Sequence, residues 1–329
     1  MTTEEAVVAL PPVAAVDRLQ DRYRGLLLGL ALGDALAAPA QHRRPGTFTR
    51  IGDLLGGGPY DVARGGWTDD TAVPLLLAES LIDCGDLAAG DGYRRLVGWQ
   101  LAGEGSASGQ CLGITATLAR VLARHGAADG APADAEAGAG DRDPLARAAI
   151  AAAFDLAQPE RAIALAADLA RLTHTAPVVV DACRYVAALV VGALQGVPKH
   201  ELLAPGYSPV PGLWQRQPLR REIAAIAARG WRETPEAPAE LAGGDAVAAL
   251  PLLLGALARG TSYRDTVLAV VNLGLDADAN GALAGQLAGA LYGAATLPAH
   301  WVAVLADGER ITGVADRLLA AALGRIIGP

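Results

Sequence analysis

The apolar residues of this chain gather in runs of alanine and leucine, each closed by a polar stretch or by a cluster of glycine and proline. Read as helices, the runs predict segments over residues 21–36, 71–81, 116–123, 144–157, 160–172, 178–194, 222–229, 245–259 and 281–293. Pro74 sets the start of the second segment near Thr71, because proline is tolerated only in a first turn. Pro251 predicts a kink or a late start in the eighth. Between the runs lie a Gly/Pro-rich connection over 37–66, a glycine-punctuated loop over 103–115, a small, acidic low-complexity stretch over 126–140 expected to be a mobile surface loop, and a Pro/Gly-rich excursion over 199–220.

Two segments carry glycine at every fourth position. Gly25, Gly29 and Gly33 form one series, and Gly281, Gly285, Gly289 and Gly293 the other. At that spacing the glycines line one helix face as a flat ridge. Each costs up to about 1 kcal/mol relative to alanine, so three in register imply that something must approach the backbone closely. Each ridge adjoins carboxylates: Asp34 follows Gly33, and Asp276 and Asp278 precede Gly281. Two such helices packed together would bring these acids near one another.

A second acidic group opens the helix at 71–81. In Gly66-Trp67-Thr68-Asp69-Asp70-Thr71, two carboxylates stand between two hydroxyls. Taken alone, Thr68 reads as a helix cap with the two acids decorating the first turn. If Asp69, Asp70, Asp276 and Asp278 converge, however, four negative charges share one site and call for cations. Hard oxygen donors select magnesium or manganese, and two divalent ions balance four carboxylates. His174, alone among five histidines, lies in a turn between two predicted helices. No HExxH motif or His/Cys cluster indicates zinc.

Composition narrows the picture. Hydrophobic residues make up 52% of the 329 and aromatics only 4%, so the apolar mass consists of helix formers and the fold class is all-α. A net charge of −8 argues against nucleic acid as the main partner. Cys84, Cys111 and Cys183 fit buried thiols in a reducing, cytoplasmic setting. The apolar windows at 26–40 and 178–194 contain charged residues, and no membrane span is expected. Residues 1–18 read as a flexible leader and 19–329 as a single domain, with no composition shift marking a boundary.

In their order along the chain, Arg24-Gly25…Gly33-Asp34-Ala-Leu, Trp67-Thr-Asp-Asp-Thr71, Thr173-His174…Asp181-Ala-Cys183-Arg184 and Asp276-Ala-Asp278-Ala-Asn280-Gly281 resemble the ADP-ribosylglycohydrolases. That family includes the dinitrogenase-reductase-activating glycohydrolase and the ADP-ribosyl-acceptor hydrolases. The resemblance implies a compact all-α globule with two magnesium or manganese ions in a cleft. It implies metal ligation by Thr68, Asp69, Asp70, Asp276 and Asp278, with Asp69, Asp70 and Asp278 serving catalysis. It implies an ADP-ribose pocket drawing on Asp34, Gln41, Gly109, Gly113, Thr115, Arg147 and His174. The implied substrate is an ADP-ribosylated protein or an ADP-ribose-like small molecule, acted on by a monomer or small homo-oligomer. Three places depart from the family pattern: Gln41 where a glutamate is usual, Ala279 where a threonine is usual, and Arg142-Asp143-Pro144-Leu-Ala-Arg147 where the family carries Asn-Gly-Ser-x-Met-Arg. Two readings follow, a metal-dependent hydrolase of the bond at the ribose anomeric carbon and a relative that binds ADP-ribose without turnover.

Overall fold

The structure is a computed structural model, and it describes residues 13–127, 140–229, 231 and 239–327. Fifteen α-helices are found among them, with no strand and only two isolated bridges, Gln41 to Leu275 and Gly57 to Val62. In chain order they are α1 (Val13–Ala37), α2 (Asp69–Cys84), α3 (Ala89–Ala102), α4 (Ala116–Ala127) and α5 (Pro144–Phe154). There follow α6 (Pro159–Arg171), α7 (Pro177–Gln195), α8 (Lys199–Leu202), α9 (Leu213–Arg216) and α10 (Arg221–Arg229). The last are α11 (Ala246–Arg259), α12 (Tyr263–Val271), α13 (Ala277–Tyr292), α14 (Ala299–Val302) and α15 (Gly308–Ile327).

The two glycine ridges meet. α1 and α13 lie antiparallel, and a Cβ placed on Gly25, Gly29 or Gly33 would stand 2.2, 2.4 or 2.0 Å from the carbonyl oxygen of Gly289, Gly285 or Gly281. From the other side, a Cβ on Gly281, Gly285 or Gly289 would stand 2.4, 2.0 or 1.9 Å from the carbonyl oxygens of Gly33, Gly29 and Gly25. Backbone therefore rests on backbone along the whole seam, a spacing that alanine cannot reach. Tyr263 closes it from the side, its buried hydroxyl donating to the Gly29 carbonyl at 2.8 Å. Around this pair, α5, α6 and α7 pack on one another, α12 covers α13, and α15 lies across α1, α2 and α5.

Several boundaries differ from expectation. α1 begins at Val13, so residues 13–18 of the expected leader are helical; residues 1–12 lie outside the described residues, as do 128–139 of the expected mobile loop. α2 begins at Asp69 rather than near Thr71 and accommodates Pro74 inside it. α11 runs through Pro251 from Ala246, its start fixed by Asp245, which accepts from the Ala248 N–H at 3.0 Å. α7 is long and apolar enough by length and composition to cross a bilayer, contrary to the sequence reading, but its window is mostly buried among the other helices. The three cysteines are free thiols, of which only Cys183 is buried; Cys84 is exposed and Cys111 intermediate.

The ridge contact gives a sharp test. Gly285→Ala is expected to destabilise the fold by about 3 kcal/mol, lowering Tm by roughly 4–5 °C, because neither backbone has room to yield. Gly313→Ala, in the exposed middle of α15 with no atom near the added Cβ, is expected to raise stability by about 0.5–1 kcal/mol. Thermal denaturation of the two variants checks both, and equal effects would count against the seam.

Candidate active site

Five helices begin at one cleft of about 620 Å³. Asp69 and Asp70 form the first turn of α2; Thr115, Ala116 and Thr117 open α4; Asp141, Arg142 and Asp143 precede α5; Gly243, Gly244 and Asp245 precede α11; Asp276 and Asp278 flank the start of α13. A helix N-terminus carries partial positive charge and free N–H groups, so five of them lower the cost of the carboxylates gathered here.

Asp34 organises the back of the site. It is 1% exposed, at the end of the glycine ridge in α1. Its Oδ2 accepts from the Thr68 N–H at 2.9 Å and from the Thr71 hydroxyl at 2.7 Å, and its Oδ1 accepts from the Thr68 hydroxyl at 3.0 Å. Thr68 thus holds the N-cap position of α2 without capping it with its side chain. The capping interpretation fails because the hydroxyl is engaged by an aspartate 34 residues away, which leaves the oxygen lone pairs available. Burial raises the Asp34 carboxyl to about 6 in spite of these hydrogen bonds.

The cluster itself is compressed. Asp69 and Asp278 are buried, and Asp70 lies half-buried on the cleft wall. Burial is the main cause that raises all three, with Asp278 reaching about 7, and mutual repulsion adds to it. Gly113, at φ +86°, is where it is because a Cβ would stand 2.0 Å from Asp69 Oδ1. Gln41 donates its amide N–H to Asp278 Oδ2, while its own Oε1 is buried without a partner. These hard oxygens beside an orphaned amide oxygen suit a magnesium- or manganese-sized cation. Thr68, Asp69, Asp70, Asp278 and Gln41 are the residues that would hold it.

Other expected residues sit further back. Arg147, 1% exposed, and His174, 0% exposed, do not line the cleft. The Arg147 Nη1 donates to the Thr173 hydroxyl oxygen at 2.6 Å, and that hydroxyl lies 2.8 Å from His174 Nδ1. Because the Asp141 carboxylate beside Nε2 only accepts, we assign the hydrogen of the neutral ring to Nε2, and the Thr173 hydroxyl, which accepts from Arg147, donates to Nδ1. Nε2 then donates to Asp141 Oδ2 at 3.3 Å, holding the Asp141 carboxyl below its ordinary range. Thr115 lines the cleft and donates to Asp143 Oδ2 at 2.6 Å, whereas Gly109 is exposed outside it. Asp141, Asp143 and His174 bring ligand-type atoms within 4.8 Å of one another, a second arrangement able to hold a metal ion.

Sequence reasoning did not single out Asp141, Asp245, His42 or Tyr60, all of which line the cleft, and treated Arg142 and Asp143 only as departures. The Asp-Arg-Asp run directly before Pro144 was the available signal for the first of these. His42 and Tyr60 form an edge-to-face pair at 6.4 Å on the wall beside Gln41. His42 occupies the left-handed region at φ +60°, uncommon outside glycine, and its N–H donates to Leu275 at 2.7 Å.

A family model described as ADP-ribosylglycohydrolase matches residues 15–326. The chain belongs to the ADP-ribosylglycohydrolase family. Among its relatives are two proteins named ADP-ribosylarginine hydrolase Tri1. That of Serratia proteamaculans (strain 568) is 30% identical over 91% of this chain and 79% of its own length. That of Pseudomonas putida (strain GB-1) is 32% identical over 91% and 78%. The ADP-ribosyl-[dinitrogen reductase] glycohydrolase of Rhodospirillum rubrum is 27% identical over 87% and 91%. A solved structure titled ADP-ribosylglycohydrolase-related protein complex superposes with a TM-score of 0.78 at 34% identity, covering 93% of this chain and 99% of that one. This ADP-ribosylglycohydrolase is accordingly a hydrolase of the family's type, in an all-α single domain.

The carboxylate burial predicts a pH dependence for the metal-free hydrolase. An aspartate in an unfolded chain ionises near pH 4, while Asp34 and Asp278 hold their protons to about 6 and about 7. Between those limits the folded state binds more protons, so stability falls as pH rises. The arginine-paired Asp83, Asp91 and Asp316 are shifted downward and titrate below this window. Tm at pH 5 is expected to exceed Tm at pH 8 by about 3 °C or more. Asp34→Asn should flatten the profile; calorimetry showing a rise from pH 5 to 8 would contradict the assignment.

Proposed function

We propose that this protein hydrolyses the glycosidic bond between ADP-ribose and the arginine side chain of an ADP-ribosylated protein, with magnesium or manganese as cofactor. The observation that carries the reading is the convergence of Asp69, Asp70 and Asp278 on a cleft ringed by five helix N-termini, with Thr68 buried behind them on Asp34. The arginine acceptor is supported by the two relatives named ADP-ribosylarginine hydrolase, each aligned over 91% of this chain.

When bound, the cation orients the ribose hydroxyls and lends Lewis acidity at the reacting sugar. The residues do the remainder. The helix N-termini of α4, α5 and α11 present N–H groups to an anionic diphosphate. Asp141 and Asp143 offer acceptors to sugar hydroxyls, the first held in place through His174 from the protein core. Gln41, being neutral, takes no proton; its free Oε1 accepts a hydrogen bond and its N–H fixes Asp278. Asp278 and Asp70 are the carboxylates placed to accept the proton of an attacking water. Its hydroxyl joins the anomeric carbon as the carbon–nitrogen bond breaks, and the proton the carboxylate took from water passes to the leaving guanidine nitrogen, which restores the carboxylate. Gln41 is also the observation that favours the second reading, ADP-ribose binding without turnover, since a glutamate there would have added a base.

Release of ADP-ribose from an ADP-ribosyl-arginine peptide and an ADP-ribosyl-serine peptide, followed by chromatography, separates these. Turnover of the arginine peptide is expected, abolished by EDTA and restored by manganese. Asp70→Ala and Asp278→Ala are each expected to lose about 100-fold or more in kcat/KM. ADP-ribose binding without release from either peptide would establish the second reading instead.

A further inference from the structure

We propose that the cluster of Asp69, Asp70, Asp276 and Asp278 holds a single tightly bound divalent cation, and that the guanidinium of Arg142 stands in for a second. The inference rests on the metal-dependent reading above and specifies its stoichiometry.

Arg142 is a resident cation. It is 5% exposed and anchored on three sides. Its Nη1 donates to the Ala242 carbonyl at 3.0 Å and to Asn280 Oδ1, and its Nη2 donates to the Gly244 carbonyl. Asn280 is itself fixed by donating to the same Ala242 carbonyl at 2.9 Å. Both terminal nitrogens are bound, to the turn before α11 and to the first turn of α13, and they hold the guanidinium in place although its buried Nε has no partner. Its Nη2 lies 3.5 Å from Asp276 Oδ2, which makes Asp276 the one member of the four-carboxylate group with a cationic partner among the described residues.

The two sides of the cluster are therefore unequal. On one side are Asp69, Asp70 and Asp278, the Thr68 hydroxyl with its hydrogen directed to Asp34, and the orphaned Gln41 Oε1. These, with waters, satisfy an octahedral cation. On the other side Asp276 is 42% exposed and engaged by Arg142, and Ala279 lines the cleft with a methyl group in place of any donor. A dication there would share Asp276 with a guanidinium that cannot leave.

The test uses the full-length protein stripped of metal and titrated with manganese, with binding read by electron paramagnetic resonance. One manganese per chain with the six-line signal of an isolated ion is expected. Two per chain with an exchange-broadened spectrum would overturn this inference and leave the metal-dependent reading intact; no binding would overturn both. Arg142→Met, which keeps the bulk and removes the charge, is expected to tighten a second manganese site at least tenfold, and more so combined with Ala279→Thr. Arg142→Lys should keep the stoichiometry at one. If Arg142→Met does not fold, Ala279→Thr alone, with Arg142 still in place, should also stay at one. A second tight manganese in Ala279→Thr or Arg142→Lys, or none gained by folded Arg142→Met, removes Arg142 from the role.

Discussion

Along the seam between α1 and α13 no side chain separates the two backbones, and the position of the cleft follows from that. Gly25, Gly29 and Gly33 face Gly289, Gly285 and Gly281 at distances where an added Cβ would overlap a carbonyl oxygen. Such close approach trades the conformational cost of glycine in a helix for extensive dispersion contact. It also fixes the register: Asp34, one residue past the ridge of α1, comes beside Asp278, three residues before the ridge of α13 begins. Asp34 then holds Thr68 and Thr71, and so the whole first turn of α2 is placed from the seam outward.

The electrostatic problem created by that convergence is met by fixed groups of opposite sign. Buried carboxylates crowd one wall, and each is displaced upward by burial and by its neighbours. Against them stand the N-terminal ends of five helices and one guanidinium held by backbone carbonyls. The same N–H groups lower the cost of gathering the protein's own anions at one point, so the convergence of helix ends and the convergence of carboxylates depend on each other.

Much of this was legible because its signals are local. The glycine spacing and the acidic pairs each lie within one helical segment, and their meaning survives without knowing what they pack against. The all-α class followed from alanine and leucine content for the same reason. What escaped was set by distant partners. Thr68 has the sequence of a cap, but its hydroxyl is claimed by Asp34, so only the fold distinguishes capping from support. Arg142 finds its carbonyls and Asn280 between 100 and 138 residues away, and nothing in the Asp-Arg-Asp run announces that. Arg147 and His174 were expected to line the ligand pocket, yet both are buried, and their hydrogen bonds reach the cleft wall only at Asp141. α12 was not anticipated, although Ser262 caps it by accepting from the Asp265 N–H at 3.1 Å, a local signal that was present.

The relay from Arg147 through Thr173 and His174 to Asp141 joins α5 to the turn before α7 and ends on the cleft wall. Three of its members are fully enclosed, so the order of Asp141 is borrowed from the packing of the interior. A surface aspartate ordinarily samples several rotamers and must be immobilised when a ligand arrives. Here that ordering is already complete when the chain has folded, and the entropy of fixing this cleft side chain belongs to folding.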